Sequence, residues 1–282
     1  MSKLLLFKPK WFPRRWFYPV LSICTALTFW INSLPAVQAI PIEKIIFHGV
    51  RILQLSTISD RQEVALGKQI NDRMVGREFK LYPSPALTQY IDLIGQRLVK
   101  ASERSDIPYT FQVVNDDKVN AFATMGGFVY IHKGLILAAD NEAELASVIA
   151  HEISHIVGEH SLKQMRQIAI AQGVASAAGL DNNLAVQIGV ELALRRPKSR
   201  EAEYEADRLG IITLGKAGYA QQAALDFMGK LLGSGSPPTI LSTHPATSDR
   251  IYNLQQYLDP RLAERGVGMN SAAYQEVVQR LM

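Results

Sequence analysis

Residues 151–155 constrain the fold and chemistry of this chain most, because they form the pattern HExxH inside a predicted helix. An α-helix turns about 100° per residue, so His151 and His155 project from one face, roughly 40° apart. Two imidazoles so arranged can bind one zinc ion through neutral nitrogens. Glu152 lies beside them and could accept a proton from water that the metal activates. The motif therefore predicts one Zn²⁺ per chain. The alternative is a helix that carries two surface histidines and a glutamate.

A catalytic zinc ion takes a third protein ligand and leaves its fourth position to water. His160 is the nearest candidate along the sequence. The helix is predicted to run from about residue 141 to residue 165, and on a continuous helix His160 lies about 180° around from His151. We therefore expect the His160 side chain to be exposed and to point away from the metal.

The acidic stretch 199–210 is the better source of a third ligand. Residues four apart share one face of a helix, and two carboxylate pairs have this spacing. The pairs are Glu201 with Glu205, and Glu203 with Asp207. In either pair, one carboxylate could bind the metal while the other orients a histidine ligand. Periodicity alone does not choose between the two pairs.

The rest of the sequence predicts a mixed α+β fold that is mostly helical. Helices are expected from residue 59, over about 86–103 and from residue 199. Strands are expected at 109–114 and 128–131, where alternating and β-branched residues occur. A segment rich in small apolar residues, within about 165–198, is too short in each half to cross a membrane and predicts a helical insertion.

Residues 1–39 are predicted to direct export. They contain five basic residues, no acidic residue and an apolar run at 16–31, and they end in small residues. This order is typical of a secretory signal peptide, with cleavage expected after Ala39. An uncleaved anchor with membrane association through residues 16–31 is the alternative, although this run is slightly shorter than the ~20 residues that span a bilayer.

The charge distribution argues against nucleic-acid binding. The chain has 30 basic and 26 acidic residues, for a formal net charge of +4. Outside residues 1–39, 25 basic residues face 26 acidic ones. The folded part therefore lacks the excess of basic residues that nucleic-acid binding requires. The single cysteine, Cys24, excludes a cysteine-based zinc cluster.

Several of these segments together resemble the gluzincin family that includes CAAX prenyl endopeptidases, HtpX-like proteases and periplasmic BepA-like proteases. The resemblance covers about residues 59–254 and rests on the HExxH motif, an ExxxD motif and two further runs. The ExxxD motif is formed by Glu203 and Asp207, and the runs are Asn120-Ala121-Phe122-Ala123 through Gly126-Gly127, and Gly134-Leu135. The resemblance implies a zincin-type fold with a small sheet beside the HExxH helix. It also implies that Glu203 is the third zinc ligand and Asp207 a supporting acid of the catalytic site.

The resemblance also gives a role to the stretch 242–247, which is similar to a His-Pro loop near the active site of the family. His244 in this loop could approach the zinc, either to block its fourth position or to stabilise the oxyanion, with Arg250 nearby. The alternative is the N-terminus of a helix, capped by Thr247 or Ser248.

A substrate-binding strand is expected after the Gly-Gly pair. In zincins an edge strand beside the HExxH helix pairs with the backbone of the substrate. The residues expected to form this strand are Gly127, Phe128, Val129 and Tyr130. Plain burial in the sheet is the competing interpretation.

The combined prediction is a zinc metalloendopeptidase of exported or misfolded polypeptides, located in the periplasm or at the extracytoplasmic face of a bacterial membrane. Its expected organisation is a signal peptide or anchor at 1–39, an N-terminal arm at 40–58 and one protease domain at 59–282. The main alternative is a chaperone-like or scaffold protein of envelope assembly with a latent protease site. A metal-binding module without hydrolytic activity is a third hypothesis.

Overall fold

The computed structural model describes residues 58–171, 182–195, 199–233, 239–245, 248–261 and 263–282. The predicted export segment at 1–39 lies outside these ranges, as do residues 40–57 of the predicted arm and residues 172–181 and 196–198 of the predicted insertion. The predicted domain boundaries therefore stay predictions. No helix within the described ranges combines the length and the apolar character needed to cross a bilayer.

Helices dominate the described part of the chain, and a small sheet accompanies them. In chain order the helices are α1 (Asp60–Met74), α2 (Pro85–Ala101), α3 (Lys133–Ala138), α4 (Glu142–Val157), α5 (His160–Ala171), α6 (Asn182–Arg195), α7 (Arg200–Lys216), α8 (Gln222–Gly233), α9 (Ile240–Thr243), α10 (Ser248–Gln256) and α11 (Ser271–Leu281). The strands are β1 (Thr110–Val114), β2 (Ala121–Thr124) and β3 (Phe128–His132). The predicted fold, mixed α+β and mostly helical with a small sheet, is confirmed.

The sheet has the order β1-β3-β2, so β3 is its central strand. It pairs in parallel with β1 and antiparallel with β2. The expectation that Gly127, Phe128, Val129 and Tyr130 form a free edge strand is therefore wrong. Both sides of β3 are hydrogen-bonded within the sheet, which leaves no open edge for a substrate backbone. The competing interpretation, burial in the sheet, is the one observed.

Alternate side chains of the sheet enter two apolar clusters, because successive residues of a strand point to opposite faces. On one face, Phe111 and Val129 pack with residues of α2 and α4. On the other face, Phe122 and Tyr130 pack with residues of α1 and α6. The sheet therefore forms a middle layer between helices, and α4 lies against it.

Helix α4 carries the HExxH motif through the centre of the molecule. It begins after Asn141, whose side chain accepts a hydrogen bond from the backbone N–H of Glu144. From residue 143 to residue 156 every side chain is buried except that of His151, which is partly exposed. The motif is thus held in a fully packed helix rather than on a mobile surface turn.

The predicted continuation of this helix to residue 165 is wrong. The helix ends at Val157 with Gly158 as its C-cap, and Glu159 has a φ of +51°, the one positive value among the described non-glycine residues. This left-handed conformation is uncommon outside glycine and redirects the chain into α5, which begins at His160.

Helix α7 approaches α4 closely at one glycine. A Cβ atom on Gly210 would lie 3.3 Å from the Cα and the backbone nitrogen of His151. The Ser199 side chain fixes the start of α7 by accepting a hydrogen bond from the N–H of Ala202. The start and the contact at Gly210 together bring the acidic first turns of α7 next to the HExxH motif.

We predict that Gly127→Ala destabilises the fold much more than Gly76→Ala. Both glycines have a positive φ, +92° and +84°, so alanine costs about 1–2 kcal/mol at either position. At Gly127 the added Cβ would also lie 1.9 Å from the Pro108 carbonyl oxygen, whereas Gly76 has nothing within 4 Å. The Gly127 variant should lose roughly 3 kcal/mol or more in the free energy of unfolding, measured by urea denaturation. Equal losses in the two variants would contradict this account.

Candidate active site

Three of the predicted ligands converge between α4 and α7. The Nε2 atoms of His151 and His155 are 3.1 Å apart. One carboxylate oxygen of Glu203 lies 3.5 Å from His151 Nε2, and the other lies 3.4 Å from His155 Nε2. Of the two carboxylate pairs left open by periodicity, the pair of Glu203 and Asp207 therefore faces the histidines, while Glu201 is exposed.

His244 adds a fourth side chain to this group. Its Nδ1 atom lies 3.4 Å from His151 Nε2, 3.2 Å from His155 Nε2 and 3.1 Å from an oxygen of Glu203. His244 follows α9 and is buried. Its expected approach to the HExxH motif is therefore seen. Of the alternative caps, Thr247 and the side chain of Ser248 lie outside the part of the structure that is described.

These four side chains, here called the ligand cluster (His151, His155, Glu203 and His244), have the geometry of a tetrahedral metal site. A metal ion with bonds of 2.0–2.1 Å to four corners requires corners about 3.3–3.4 Å apart. The three imidazole nitrogens lie 3.1–3.4 Å apart. Glu203 approaches them through both of its oxygens, with Oε1 at 3.1 Å from His244 and 3.4 Å from His155, and Oε2 at 3.5 Å from His151. The cluster therefore fits one four-coordinate metal ion.

Glu152 lies next to the ligand cluster but not at one of its corners. Its nearest approach is 3.4 Å, from Oε1 to His244 Nε2. Its side chain is completely buried, and neither carboxylate oxygen has a hydrogen-bond partner among the described residues. If Glu152 replaced Glu203 as the fourth ligand, the ligand atoms would be as much as 4.8 Å apart. This separation is wider than any in the cluster that contains Glu203. The position suits a proton acceptor beside the metal rather than a ligand.

Asp207 and Arg250 support one side of the cluster. An oxygen of Asp207 lies 3.1 Å from His151 Nδ1, the ring nitrogen opposite the cluster. Arg250 binds both oxygens of Asp207 at 2.7 Å and reaches Glu203 at 2.8 Å. It also donates to the carbonyl oxygen of Pro245, at 3.1 Å. Arg250 thus connects the carboxylates of Glu203 and Asp207 to the segment that carries His244.

The electrostatics of the cluster favour a cation. Burial alone would raise the pKa of Glu203, but its interactions with His244, His151 and His155 hold it well below its usual range. Burial alone would lower the pKa of His151, yet hydrogen bonds to Asp207 and Glu203 raise it to about 10. Burial also opposes ionisation of Asp207, but Arg250 and His151 keep its pKa low. Two ionised carboxylates therefore remain in a buried site.

His160 is buried beneath His155, contrary to the expectation that it is exposed. Its Nδ1 atom lies 2.8 Å from His155 Nδ1, and its Nε2 atom lies 3.2 Å from a carboxylate oxygen of Glu205. The helix break at Gly158 and Glu159 is the physical reason, because a ring that a continuous helix would turn outward is folded back inward. Gly158 was the one sequence signal for this break.

An apolar pocket of about 60 Å³ adjoins the cluster on the His151 side. Side chains of α4, α7, α8 and α9 line it, and its polar lining includes His151 and His244. The apolar lining includes Val148, Leu214, Phe227, Met228 and Leu241. Such a pocket can receive an apolar side chain next to the cluster.

Comparison with known proteins agrees with this geometry. Residues 85–258 match the model of peptidase family M48, which is more than half of the chain. The chain belongs to peptidase family M48. The resemblance inferred from its motifs and the predicted metallopeptidase class are thereby confirmed.

The matching relatives are named as beta-barrel assembly-enhancing proteases and as mitochondrial metalloendopeptidases. The chain is 36% identical over 217 residues to the beta-barrel assembly-enhancing protease of Escherichia coli K12, an alignment that covers 70% of this chain and 44% of that protein. It is 27% identical over 185 residues to the mitochondrial metalloendopeptidase OMA1 of Schizosaccharomyces pombe, with 63% and 55% covered. The chain spans about half the length of the curated relatives it matches.

We predict that the purified protein holds about one divalent metal ion per chain, since the ligand cluster can surround a single ion. His151→Ala and Glu203→Ala should each lower the metal content, measured by elemental analysis. Glu201→Ala is the matched control on α7, because Glu201 is exposed and should leave the metal content unchanged. Loss of metal in the Glu201 variant but not in the Glu203 variant would refute the assignment.

Proposed function

We propose that this protein is a zinc-dependent metalloendopeptidase of exported or misfolded polypeptides. The observation that carries the proposal is the tetrahedral ligand cluster with the buried carboxylate of Glu152 beside it. Family membership supports a peptidase, and the names of the relatives support an internal cleavage of polypeptides.

The donor set favours zinc among divalent metals. Imidazole nitrogens with one carboxylate in a four-coordinate tetrahedral arrangement suit Zn²⁺, whereas Mg²⁺ and Ca²⁺ take six or more oxygen ligands. His151, His155 and Glu203 would hold the ion. Zinc, when bound, acts as a Lewis acid that polarises a carbonyl and lowers the pKa of a water molecule toward about 7.

Glu152 is assigned the role of general base and then of general acid. Its unpartnered oxygens can accept a proton from the water that attacks the scissile carbonyl. The same carboxyl can then pass this proton to the leaving amine. Burial keeps bulk water away from these oxygens, so the proton is delivered to the substrate rather than exchanged with solvent.

Asp207 and Arg250 are assigned positioning roles. Asp207 accepts the Nδ1–H of His151 and so presents Nε2 to the metal. Arg250 neutralises Asp207 and fixes the orientation of Glu203. Because the guanidinium of Arg250 is engaged by the carboxylates of Asp207 and Glu203 and by the carbonyl oxygen of Pro245, positioning suits this residue better than stabilisation of an oxyanion.

The proposed location is the cell envelope of a bacterium, after export directed by residues 1–39. The basic residues, the apolar run and the small residues before position 40 support this location. The relatives named as beta-barrel assembly-enhancing proteases support envelope quality control as the setting. Substrates in this setting are partly folded polypeptides with apolar side chains, which the pocket beside His151 could receive.

A specific observation favours a second candidate, a chaperone-like or scaffold protein with a latent protease site. His244 occupies the fourth corner of the cluster, which a catalytic zinc site leaves open for water. We propose that this arrangement is a resting state and that movement of the segment around His244 opens the site. A protein that stays closed would act without proteolysis.

We predict that Glu152→Gln retains its metal but loses at least ~100-fold in kcat, the usual effect of removing a general base. Cleavage of casein and the metal content would be measured on the same preparation. Glu276→Gln, an exposed glutamate of α11, is the control and should keep full activity. Undiminished peptidase activity in the Glu152 variant would refute the mechanism, and a normal envelope phenotype in cells that carry it would favour the nonproteolytic role.

We predict that His244→Ala raises basal cleavage of casein while the metal content stays nearly constant. Removal of the imidazole opens the fourth corner and leaves the three other ligands in place. Ser242→Ala changes an exposed residue of the same segment and should have no effect. Abolished turnover with retained metal would instead indicate that His244 stabilises the oxyanion. Unchanged activity would exclude both roles.

A further inference from the structure

We propose that His160 and Glu205 form a hydrogen-bonded relay that positions the metal ligand His155 and strengthens metal binding. The inference rests on the proposed function, because it takes His155 as a metal ligand through Nε2. It assigns a role to two residues outside the ligand cluster, one of which the sequence pattern placed on the surface.

The contacts follow one another without interruption from the cluster to the surface. His155 presents Nε2 to the cluster, and its Nδ1 atom lies 2.8 Å from His160 Nδ1. The opposite nitrogen of His160 lies 3.2 Å from Glu205 Oε2. The side chains of His155 and His160 are almost completely buried, whereas that of Glu205 is 41% exposed.

Hydrogen-bond donors and acceptors fix the protons along this relay from both ends. A metal ligand His155 is neutral with a free Nε2, so its proton is on Nδ1 and is donated to His160. From the other end, the Glu205 carboxylate only accepts, so His160 carries its proton on Nε2 and offers Nδ1 as an acceptor. Both assignments make His155 Nδ1 the donor and His160 Nδ1 the acceptor in the contact between these two atoms.

The local backbone is adapted to hold His160 in this place. Glu159 adopts the left-handed conformation that turns the chain back under α4. A side chain at position 158 would collide with the His160 ring, since a Cβ there would lie 2.6 Å from Nε2. An uncommon conformation and a required glycine on the two preceding residues indicate that the position of this ring is specified by the fold.

The relay has a counterpart on the other metal histidine. His151 Nδ1 is held by Asp207, and His155 Nδ1 is held by His160. Both supports end on α7, where Asp207 contacts His151 directly and Glu205, two residues earlier, contacts His160. Each HExxH histidine is thus oriented through its outer nitrogen, the kind of contact that raises ligand basicity and metal affinity.

The test compares zinc dissociation constants of the full chain, measured by competition with a chelator. His160→Leu removes the acceptor, and it should weaken zinc binding about tenfold to a hundredfold, as loss of such contacts typically does. His160→Asn is smaller than histidine but places an amide oxygen near the position of Nδ1, so it should stay within about threefold of the unaltered protein. If the ring merely filled space, the leucine variant, which is closer to histidine in volume, would bind zinc at least as tightly as the asparagine variant.

Variants of α7 complete the design. Glu205→Ala should weaken zinc binding by up to about tenfold, a smaller loss because its contact is partly exposed. Glu201→Ala, an exposed glutamate one turn earlier, should have no effect. Because His160 and Glu205 act in series, the double variant His160→Leu/Glu205→Ala should bind zinc no more weakly than His160→Leu alone. Thermal unfolding of the metal-free proteins serves as the check on folding, and if His160→Leu fails to fold, the asparagine and Glu205 variants carry the test.

Zinc affinities of His160→Leu and Glu205→Ala within twofold of the unaltered protein would overturn the relay while leaving the proposed function intact. An asparagine variant no better than the leucine variant would overturn it as well. An unaltered protein that binds no zinc would instead overturn the proposed function, and the relay with it.

Discussion

The close contact between α4 and α7 is the interaction on which the active site depends. Gly210 allows α7 to approach the backbone of His151, and from there the earlier turns of α7 pass beside both HExxH histidines. A single helix then supplies the carboxylate of the cluster, Glu203, and the support of His151, Asp207. One packing contact therefore sets the positions of residues that are about 50 apart in the sequence.

The sequence predicted what local periodicity determines. The HExxH spacing placed His151 and His155 on one face, and the i,i+4 spacing reduced the acids of α7 to two pairs. The choice of Glu203 over Glu201 came only from the family resemblance, because both pairs obey the same helical geometry. Strands β1 and β3 were expected, but the short strand β2 has four buried residues and no alternation that would reveal it.

The predictions from the sequence were wrong where the chain departs from regular structure or where segments distant in the sequence meet. His160 was misplaced because the prediction continued a helix through Gly158, and one left-handed residue reverses the direction of the following side chains. The prediction of β3 as an edge strand failed because a strand of five residues does not encode the order of the sheet. Both of its neighbours, β1 and β2, precede it in the chain, and they pair with its two sides. His244 could be placed only by resemblance, since contacts between distant segments leave no local pattern.

The two histidines of the motif differ in what lies behind them. The support of His151 ends in the buried pair of Asp207 and Arg250, whereas the support of His155 ends in Glu205 at the surface. Dissolved ions screen exposed charges strongly and buried ones much less. The electrostatic support of His151 should therefore depend little on the ionic strength of the surrounding fluid. The support of His155, which ends in an exposed carboxylate, should depend on it more strongly. At the proposed location in the cell envelope, where the fluid follows the salinity outside the cell, the enzyme would experience that difference directly.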